Sequence, residues 1–173
     1  NWKIIQLGDL LRLSNNRSII CNQFPVLTSS RSGLHRQSDY FKKIVASKDN
    51  TGYKIIKKGQ FTYRAMSDDG LFKFNQLNDL QQGLVSPAYE VFEINESYAC
   101  PTFMGYFLNS RIISSQIYSS AQGGTRLALR FAALTRFALK LPPIQEQKKI
   151  AEILSRIDNL ITKKRDLNSK NNL

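Results

Sequence analysis

The chain has 173 residues, of which 42% are hydrophobic and 22% charged, so a mainly disordered protein is excluded and a buried core is expected. Lysine and arginine number 25 against 13 acids, which gives a net charge of +12. Residues 1–64 hold 12 basic and 3 acidic side chains, whereas residues 141–173 hold 7 and 4. A surface with this excess predicts a polyanionic partner, either a nucleic acid or an anionic membrane.

Several classes of protein are disfavoured at once. No apolar run approaches the ~20 residues of a membrane span. Cys21 and Cys100 are isolated, which indicates a reducing compartment and a cytoplasmic location. With His35 as the single histidine, and no phosphate-binding loop or acid–base pair, neither an enzymatic site nor a bound metal or cofactor is predicted. The first residue is Asn1 rather than Met, which indicates a processed chain or a fragment.

The first third of the chain predicts short elements. Residues 2–7 favour a strand, and a short helix is expected from Leu10 with Asp9 as its N-cap. Residues 14–39 are expected to be loops, apart from a short buried strand at 26–28. Residues 53–56 and 61–64 alternate in polarity around a turn, which predicts a β-hairpin.

The middle of the chain continues this mixed pattern. A turn is expected at residues 68–70, and a strand over 84–94 with Pro87 at an edge or bulge. Pro101 suits the first turn of a helix that runs to about Ser119. A loop at 122–125 and a strand over 134–141 follow. The predicted fold class is therefore α+β, with a mixed globule over residues 1–141.

Residues 142–173 predict a separate helical arm. Pro142 and Pro143 stop the preceding strand, and no glycine or proline follows as far as Lys170. A helix of this length spans ~42 Å, so we expect it to protrude and pair with another helix rather than fold flat on its own domain. Apolar residues at spacings of three and four, with Lys164 in the same series, form the predicted helix interface of Ile150, Ile153, Ile157, Leu160, Ile161 and Leu167.

Basic and amide side chains of the globule are the candidates for nucleic-acid contact. Lysine and arginine neutralise phosphates, whereas forked donors and amides read base edges. Each such residue alone is more often solvated surface, so the cluster matters more than any member. The loop at 122–126 has backbone groups suited to a phosphate, although a plain connecting loop fits equally well. The predicted contacts are Arg31, Arg36, Lys57, Lys58, Arg64, Lys73, Gln76 and Arg126.

Residues 141–154, LPPIQEQKKIAEIL, closely resemble the start of the conserved helix in specificity subunits of type I restriction–modification systems. Trp2 with residues 7–10 resembles the usual start of their target recognition domain. Residues 53–63 resemble its central hairpin. Weaker landmarks occur at 83–89 and 123–127, so the resemblance covers essentially the whole chain.

The resemblance implies a DNA-binding function without a catalytic centre. A full subunit of this family carries two recognition domains, each reading half of a split DNA site. Its long helices space the halves and dock methyltransferase subunits, which use S-adenosylmethionine, and a restriction/translocase subunit joins for cleavage. One recognition domain over 1–141 and one helix over 142–173 make this chain half a subunit. The second helix is then expected from another copy, in an antiparallel homodimer that reads an interrupted palindrome.

Two other functions remain open from the sequence. One is an assembly protein that acts mainly through its helix, with weak or lost DNA binding. The other is a standalone enzyme on nucleic acid, which the lack of a catalytic grouping disfavours. Salt-dependent binding that prefers one short sequence distinguishes the DNA-reading function from the assembly function.

Overall fold

The computed structural model describes residues 1–40, 49–120 and 127–171, with short strands up to Leu141 and one long helix after it. The strands are β1 (Lys3–Gln6), β2 (Leu11–Leu13), β3 (Leu27–Ser30), β4 (Gly33–Arg36), β5 (Lys54–Lys57), β6 (Phe61–Arg64), β7 (Met66–Ser67), β8 (Asn75–Gln76), β9 (Gln82–Val85), β10 (Tyr89–Ile94), β11 (Leu127–Ala128) and β12 (Ala138–Leu141). The helices are α1 (Leu7–Leu10), α2 (Gln37–Tyr40), α3 (Pro101–Leu108), α4 (Arg111–Ser120), α5 (Phe131–Leu134) and α6 (Ile144–Asn171). The predicted α+β class with a long C-terminal helix is confirmed.

A four-stranded sheet in the order β2-β10-β6-β8 lies at the centre of the globule. Its strands pair antiparallel, with Phe92 of β10 opposite Phe61 of β6. These two rings stack with centroids 5.6 Å apart, and Tyr63 packs against Phe74 at 4.8 Å. Side chains of α3, α4 and β12 complete this main core. Burial of so many aromatic rings is the principal driving force for folding of the globule.

A smaller core holds the outer strands on this sheet. It contains Leu27 of β3, Ile56 of β5 and Val91 of β10, all almost fully buried. The strands β5 and β9 pair with each other, as do β3 and β4. At Gly83 of β9 an added Cβ atom would lie 2.4 Å from Cδ1 of Leu27, so only glycine permits this approach. The smaller core therefore fixes the position of the β3–β4 pair relative to the central sheet.

The hairpin predicted from residues 53–64 is wrong. The turn is present, with Gly59 at a φ of 87°, but β5 pairs with β9 and β6 pairs with β10 and β8. The N–H groups of Lys58 and Gly59 donate instead to the carbonyls of Gln81 and Leu77. Because β6 is covered on both edges by other strands, its neighbour in sequence has no free edge to join.

Two long elements predicted from the sequence are each divided. The strand expected over 84–94 is β9 and β10, separated around Pro87, and the two join different sheets. The helix expected from Pro101 to Ser119 is α3 and α4. The side chain of Asn109 accounts for the break, because its Nδ2 donates to the Gly105 carbonyl at 2.7 Å and competes with helix continuation.

Three further expectations need correction. The first helix begins at Leu7 rather than Leu10, so Asp9 is inside it, because the N–H groups of Leu7 and Gly8 are tied to the carbonyls of residues 137 and 135. The stretch 14–39 is not all loop beyond 26–28, since β4 and α2 form there. The strand expected over 134–141 is limited to β12, with Leu134 ending α5. The loop expected at 122–125 lies outside the described residues.

The two ends of the globule meet where the long helix begins. Strand β1 pairs antiparallel with β12, so the first residues lie beside the last strand before α6. The indole Nε1 of Trp2 donates to Oε1 of Glu146 at 3.1 Å. Helix α6 runs for 28 residues directly after Pro143, and its side chains from Arg156 to Ser169 are exposed. The expected protrusion is confirmed for this outer part, whereas the inner part packs on α3.

Candidate nucleic-acid interface

Strands β3 and β4 form a two-stranded ribbon that carries Arg31 at its tip. Ser30 pairs with Gly33, so Arg31 and Ser32 alone make the turn, and Gly33 takes a φ of 131° that other residues rarely adopt. Asn75 of β8 anchors the ribbon, because its Nδ2 donates to Oγ of Ser29 at 2.8 Å and to the Ser30 carbonyl at 2.7 Å. The position of the tip is therefore fixed by a buried amide.

A groove of about 370 Å³ lies beside this tip, and we call it the ribbon groove. Three predicted contact residues line it together: Arg31 from the ribbon, Arg64 from the end of β6, and Lys73. Residues 66–69 and 71–72 form the facing wall. The wall includes the carboxylates of Asp68 and Asp69, so the groove combines three cations with two anions. Its cations are suited to phosphates and base edges.

Two neighbouring grooves contain the predicted residues Arg36 and Gln76. The first, of about 540 Å³, is lined by Arg36 and Gln76 together with Asp39 and Asp79. The second, of about 570 Å³, shares Gln76 with the first and Lys73 with the ribbon groove. The amide of Gln76 is engaged on the protein itself, since its Nε2 donates to the Gly59 carbonyl at 3.0 Å. The three grooves thus adjoin one another around β8.

The other predicted contacts lie apart from the ribbon groove. Lys57 and Lys58 are exposed at the turn between β5 and β6, at the β8 end of the globule. Arg126 lies outside the described residues. The basic excess of the first third is also smaller at the surface than in the sequence. Lys54 is buried and its Nζ lies 2.7 Å from Oε2 of Glu90.

Sequence reasoning missed several residues of this surface. Asn75 is not among the predicted contacts, yet its amide fixes the ribbon. Asp69 lies in the turn expected at residues 68–70, but no sequence pattern indicated that it also binds the Arg31 guanidinium. Met66 and Leu71 line the ribbon groove with 46% and 58% of their surfaces exposed. The sequence signal for this part of the surface is the Asp-Asp-Gly turn at 68–70, which is followed directly by Leu71.

The inner part of α6 is held to the globule by a buried glutamine. Oε1 of Gln147 accepts from the Cys100 N–H at 2.9 Å, and its Nε2 donates to the Pro142 carbonyl at 2.9 Å. The side chain is 1% exposed. These bonds pair a backbone group at the start of α3 with one just before α6. The second glutamine of the Gln-Glu-Gln segment therefore joins the helix to the domain.

Further along α6, Tyr106 of α3 makes the last polar contact between helix and globule. Its hydroxyl donates to Oδ2 of Asp158 at 2.7 Å. Burial, together with the neighbouring carboxylate, raises the pKa of Tyr106, so the hydroxyl stays protonated and remains a donor. Gln147, Ala151, Ser155 and Asp158 lie on one side of the helix, which is the side that faces the globule.

Another side of α6 exposes apolar residues. At about 100° per residue, Ile157 lies roughly 100° around the helix from Asp158. Its neighbours on the same side are also exposed, with Ile153 at 59% and Leu160 at 66%. Ile150, which was predicted with them, packs partly against the main core instead. We call the exposed set the helix stripe; it consists of Ile153, Ile157, Leu160, Ile161 and Leu167.

Two negative findings apply to the part of the chain that the structure describes. No group of three or more His, Cys, Asp or Glu side chains is arranged to hold a metal ion. No helix there has the length and apolar character needed to cross a membrane.

Comparison with known proteins gives consistent results. The family described as Type I restriction modification DNA specificity domain matches residues 1–170. The Type I restriction enzyme HindI specificity subunit of Haemophilus influenzae is 26% identical over 167 residues, which cover 93% of this chain and 36% of that subunit. The chain thus spans little more than a third of this curated relative.

Solved structures show the same fold at low sequence identity. A chain from a study of assembly and conformational transition in a type I restriction–modification system has a TM-score of 0.65 and 20% identity, covering 95% of this chain and 44% of its own. The S subunit of a type I system from M. genitalium has a TM-score of 0.56 and 17% identity, with coverage of 92% and 39%. Because its match extends over residues 1–170, this chain belongs to the family of type I restriction–modification DNA specificity domains.

Proposed function

We propose that this chain reads one half of a bipartite DNA site and directs methyltransferase and restriction/translocase subunits to it. The observation that carries this proposal is the ribbon groove, where Arg31, Arg64 and Lys73 meet beside a fixed two-stranded ribbon. The major groove of B-DNA admits a two-stranded ribbon, and arginine at its tip has the donor geometry to read base edges. Lys57 and Lys58 add exposed charges suited to the phosphates.

In this proposal the chain performs no chemistry of its own. It binds no cofactor, and S-adenosylmethionine is used by the methyltransferase partner. The globule up to Leu141 recognises DNA, and the helix that follows spaces and docks the other components. Relatives that share the family are named as specificity subunits, which supports this division of labour.

DNA binding with selection from a randomised duplex library tests the recognition function. We expect the wild-type chain to enrich one short motif and its affinity to fall steeply with salt. The triple variant Arg31→Ala/Arg64→Ala/Lys73→Ala should lose the motif. The control Lys148→Ala/Lys149→Ala/Arg156→Ala removes three exposed cations from α6 and should retain it. Equal loss in both variants, or no motif for the wild type, would contradict the proposed interface.

We further propose that two copies pair through their helix stripes in an antiparallel arrangement. Five large apolar side chains remain exposed along α6, on a side that its own globule leaves open. Exposed stripes of this kind are typical of interfaces. An antiparallel pair related by a two-fold axis places one recognition domain at each end. Its two half-sites are then identical and inverted, so the DNA target is an interrupted palindrome.

Sedimentation velocity at micromolar concentration tests the pairing. The wild-type chain should sediment as a dimer, and Ile157→Asp should give a monomer because it places a carboxylate in an apolar interface. Asn159→Asp is the matched control, since it adds the same charge roughly 200° around the helix from Ile157. A monomeric wild-type chain would refute the homodimer. A dimer without any preferred DNA sequence would support the alternative of an assembly protein.

A further inference from the structure

Asp69 connects two separate parts of the ribbon groove. Its Oδ1 accepts a hydrogen bond from the Leu71 N–H at 3.1 Å and lies 2.9 Å from Oγ of Ser67, which is itself buried. Its Oδ2 accepts from Nη2 of Arg31, 38 positions earlier in the chain. One carboxylate therefore closes the turn 67–71 and holds the ribbon tip across the groove.

Neither stability nor general attraction to DNA accounts for the contact between this carboxylate and Arg31. Arg31 and Asp69 have side chains 70% and 50% exposed, and ion pairs this exposed contribute little to folding. A negative charge in a surface for a polyanion also weakens binding to any sequence. What the contact does accomplish is to restrict the arginine, whose long side chain otherwise samples many rotamers.

The N–H donors of Arg31 that do not contact Asp69 determine which ligand the guanidinium can bind. A guanidinium carries five N–H donors, and the contact through Nη2 leaves others directed away from Asp69. A phosphate brought to Arg31 would approach the Asp69 carboxylate and be repelled. The O6 and N7 atoms of guanine are neutral acceptors that match the arginine fork in the major groove.

The apolar neighbours support a base edge over a phosphate. Met66 and Leu71 line the same groove and are both about half exposed. Apolar side chains gain nothing beside a phosphate, but they pack against the flat edges and methyl groups of bases. The residues around the Arg31–Asp69 pair are thus suited to contact the base edges exposed in a DNA groove rather than the phosphates.

We propose that Arg31 reads one guanine of the target and that Asp69 is the positioning residue that directs its guanidinium to that base. This rests on the proposed function, and it specifies which side chains determine one position of the half-site. Arg64 and Lys73, which have no carboxylate holding them within the described residues, contribute charge along the same groove.

Selection from a randomised duplex library with the full chain tests the proposal. Arg31→Ala should relax one G·C position of the wild-type motif about tenfold. Asp69→Asn should relax the same position, while its affinity for non-specific DNA stays equal or rises because a negative charge is gone. The asparagine keeps an acceptor for Leu71 and Ser67, so thermal unfolding should be nearly unchanged. The double variant should resemble Arg31→Ala, since the two residues act as one unit.

Two controls make the result specific. Asp79→Asn removes an exposed carboxylate from the neighbouring groove and should leave that position unaffected. Replacing the selected guanine by 7-deazaguanine removes N7, and this should weaken wild-type binding about tenfold but not binding by Arg31→Ala. Relaxation of different positions by the two variants, or an unchanged motif with Asp69→Asn, would overturn the inference. A wild-type chain that selects no motif refutes the proposed function itself, so the two failures are distinguishable.

Discussion

The ribbon groove and the helix stripe are both exposed, yet they are built in opposite ways. The groove gathers charged side chains from segments far apart in sequence, such as Arg31 and Lys73, and hydrogen bonds from the buried Asn75 hold the ribbon in place. The stripe lies on one continuous helix, and its apolar spacing alone brings its members together. A polar surface suited to DNA therefore depends on the whole globule, whereas the apolar surface suited to another helix depends on local periodicity.

Gln147 joins the helix that carries the stripe to the globule that carries the groove, and breaking this junction should have the largest effect. In Gln147→Leu the Cys100 N–H and the Pro142 carbonyl lose their partners in a buried site. Two unpaired backbone groups should lower the free energy of unfolding by about 3 kcal/mol. Urea denaturation followed by circular dichroism measures this change. Gln145→Leu, at an exposed position two residues earlier, should cost well under ~1 kcal/mol; equal losses would refute the role of Gln147.

Gly83 tests how strongly the ribbon depends on close packing. An alanine there would place its Cβ against the buried Leu27, and such overpacking should destabilise the fold by about 2 kcal/mol. DNA affinity should fall as well, because Leu27 begins the ribbon. Gly105→Ala is the matched control. Gly105 lies within helix α3, and an added Cβ would lie 3.5 Å from the Phe61 ring, which is an ordinary van der Waals distance. That change should raise stability by up to ~1 kcal/mol, so the two alanines should differ in sign in thermal denaturation.

Tyr63 lies fully buried in the main core and lines neither surface, so a change there tests the globule itself. Its hydroxyl is buried without a hydrogen-bond partner in the described chain, and burial raises its pKa far above the usual range. Above pH 10 the unfolded tyrosine loses its proton while the folded one keeps it, so stability falls as pH rises. The wild type should lose about 1.4 kcal/mol per pH unit there relative to Tyr63→Phe.

Chemical denaturation of both proteins at pH 7 and pH 11 measures this difference. At pH 7 the two should be almost equally stable, because the phenylalanine removes a polar group that has no partner. If the wild type and Tyr63→Phe differ in free energy of unfolding by the same amount at pH 7 and at pH 11, the raised pKa of Tyr63 is contradicted.

The smallest effect is expected from the exposed lysines at the β5–β6 turn. Lys57→Ala and Lys58→Ala should each weaken binding to every DNA sequence alike, by less than ~1 kcal/mol, and lower the salt slope by about one. Fluorescence anisotropy with specific and random duplexes over a range of salt concentrations measures both quantities. A changed sequence preference would instead assign these lysines to base reading and enlarge the recognition surface beyond the ribbon groove.

Local patterns predicted several individual elements well. Residues 2–7 were expected as a strand and β1 forms there, and the turn at Gly59 takes its positive φ. The start of α6 follows from Pro143, and its length follows from the absence of glycine and proline in the residues after it. The same reasoning failed for the hairpin of residues 53–64, because alternation shows that a segment is a strand but not which strand pairs with it.

By itself the sequence determined the fold class, the long helix with its apolar stripe, and the resemblance that the family match confirms. These properties are local: they follow from spacing, breakers and a contiguous motif. Only the tertiary structure decided which cations share a groove, that Lys54 is buried against Glu90, and that Asp69 holds Arg31. Residues so far apart in sequence meet because β3 and the turn 67–71 both lie beside β6 of the central sheet, and no local pattern encodes that proximity.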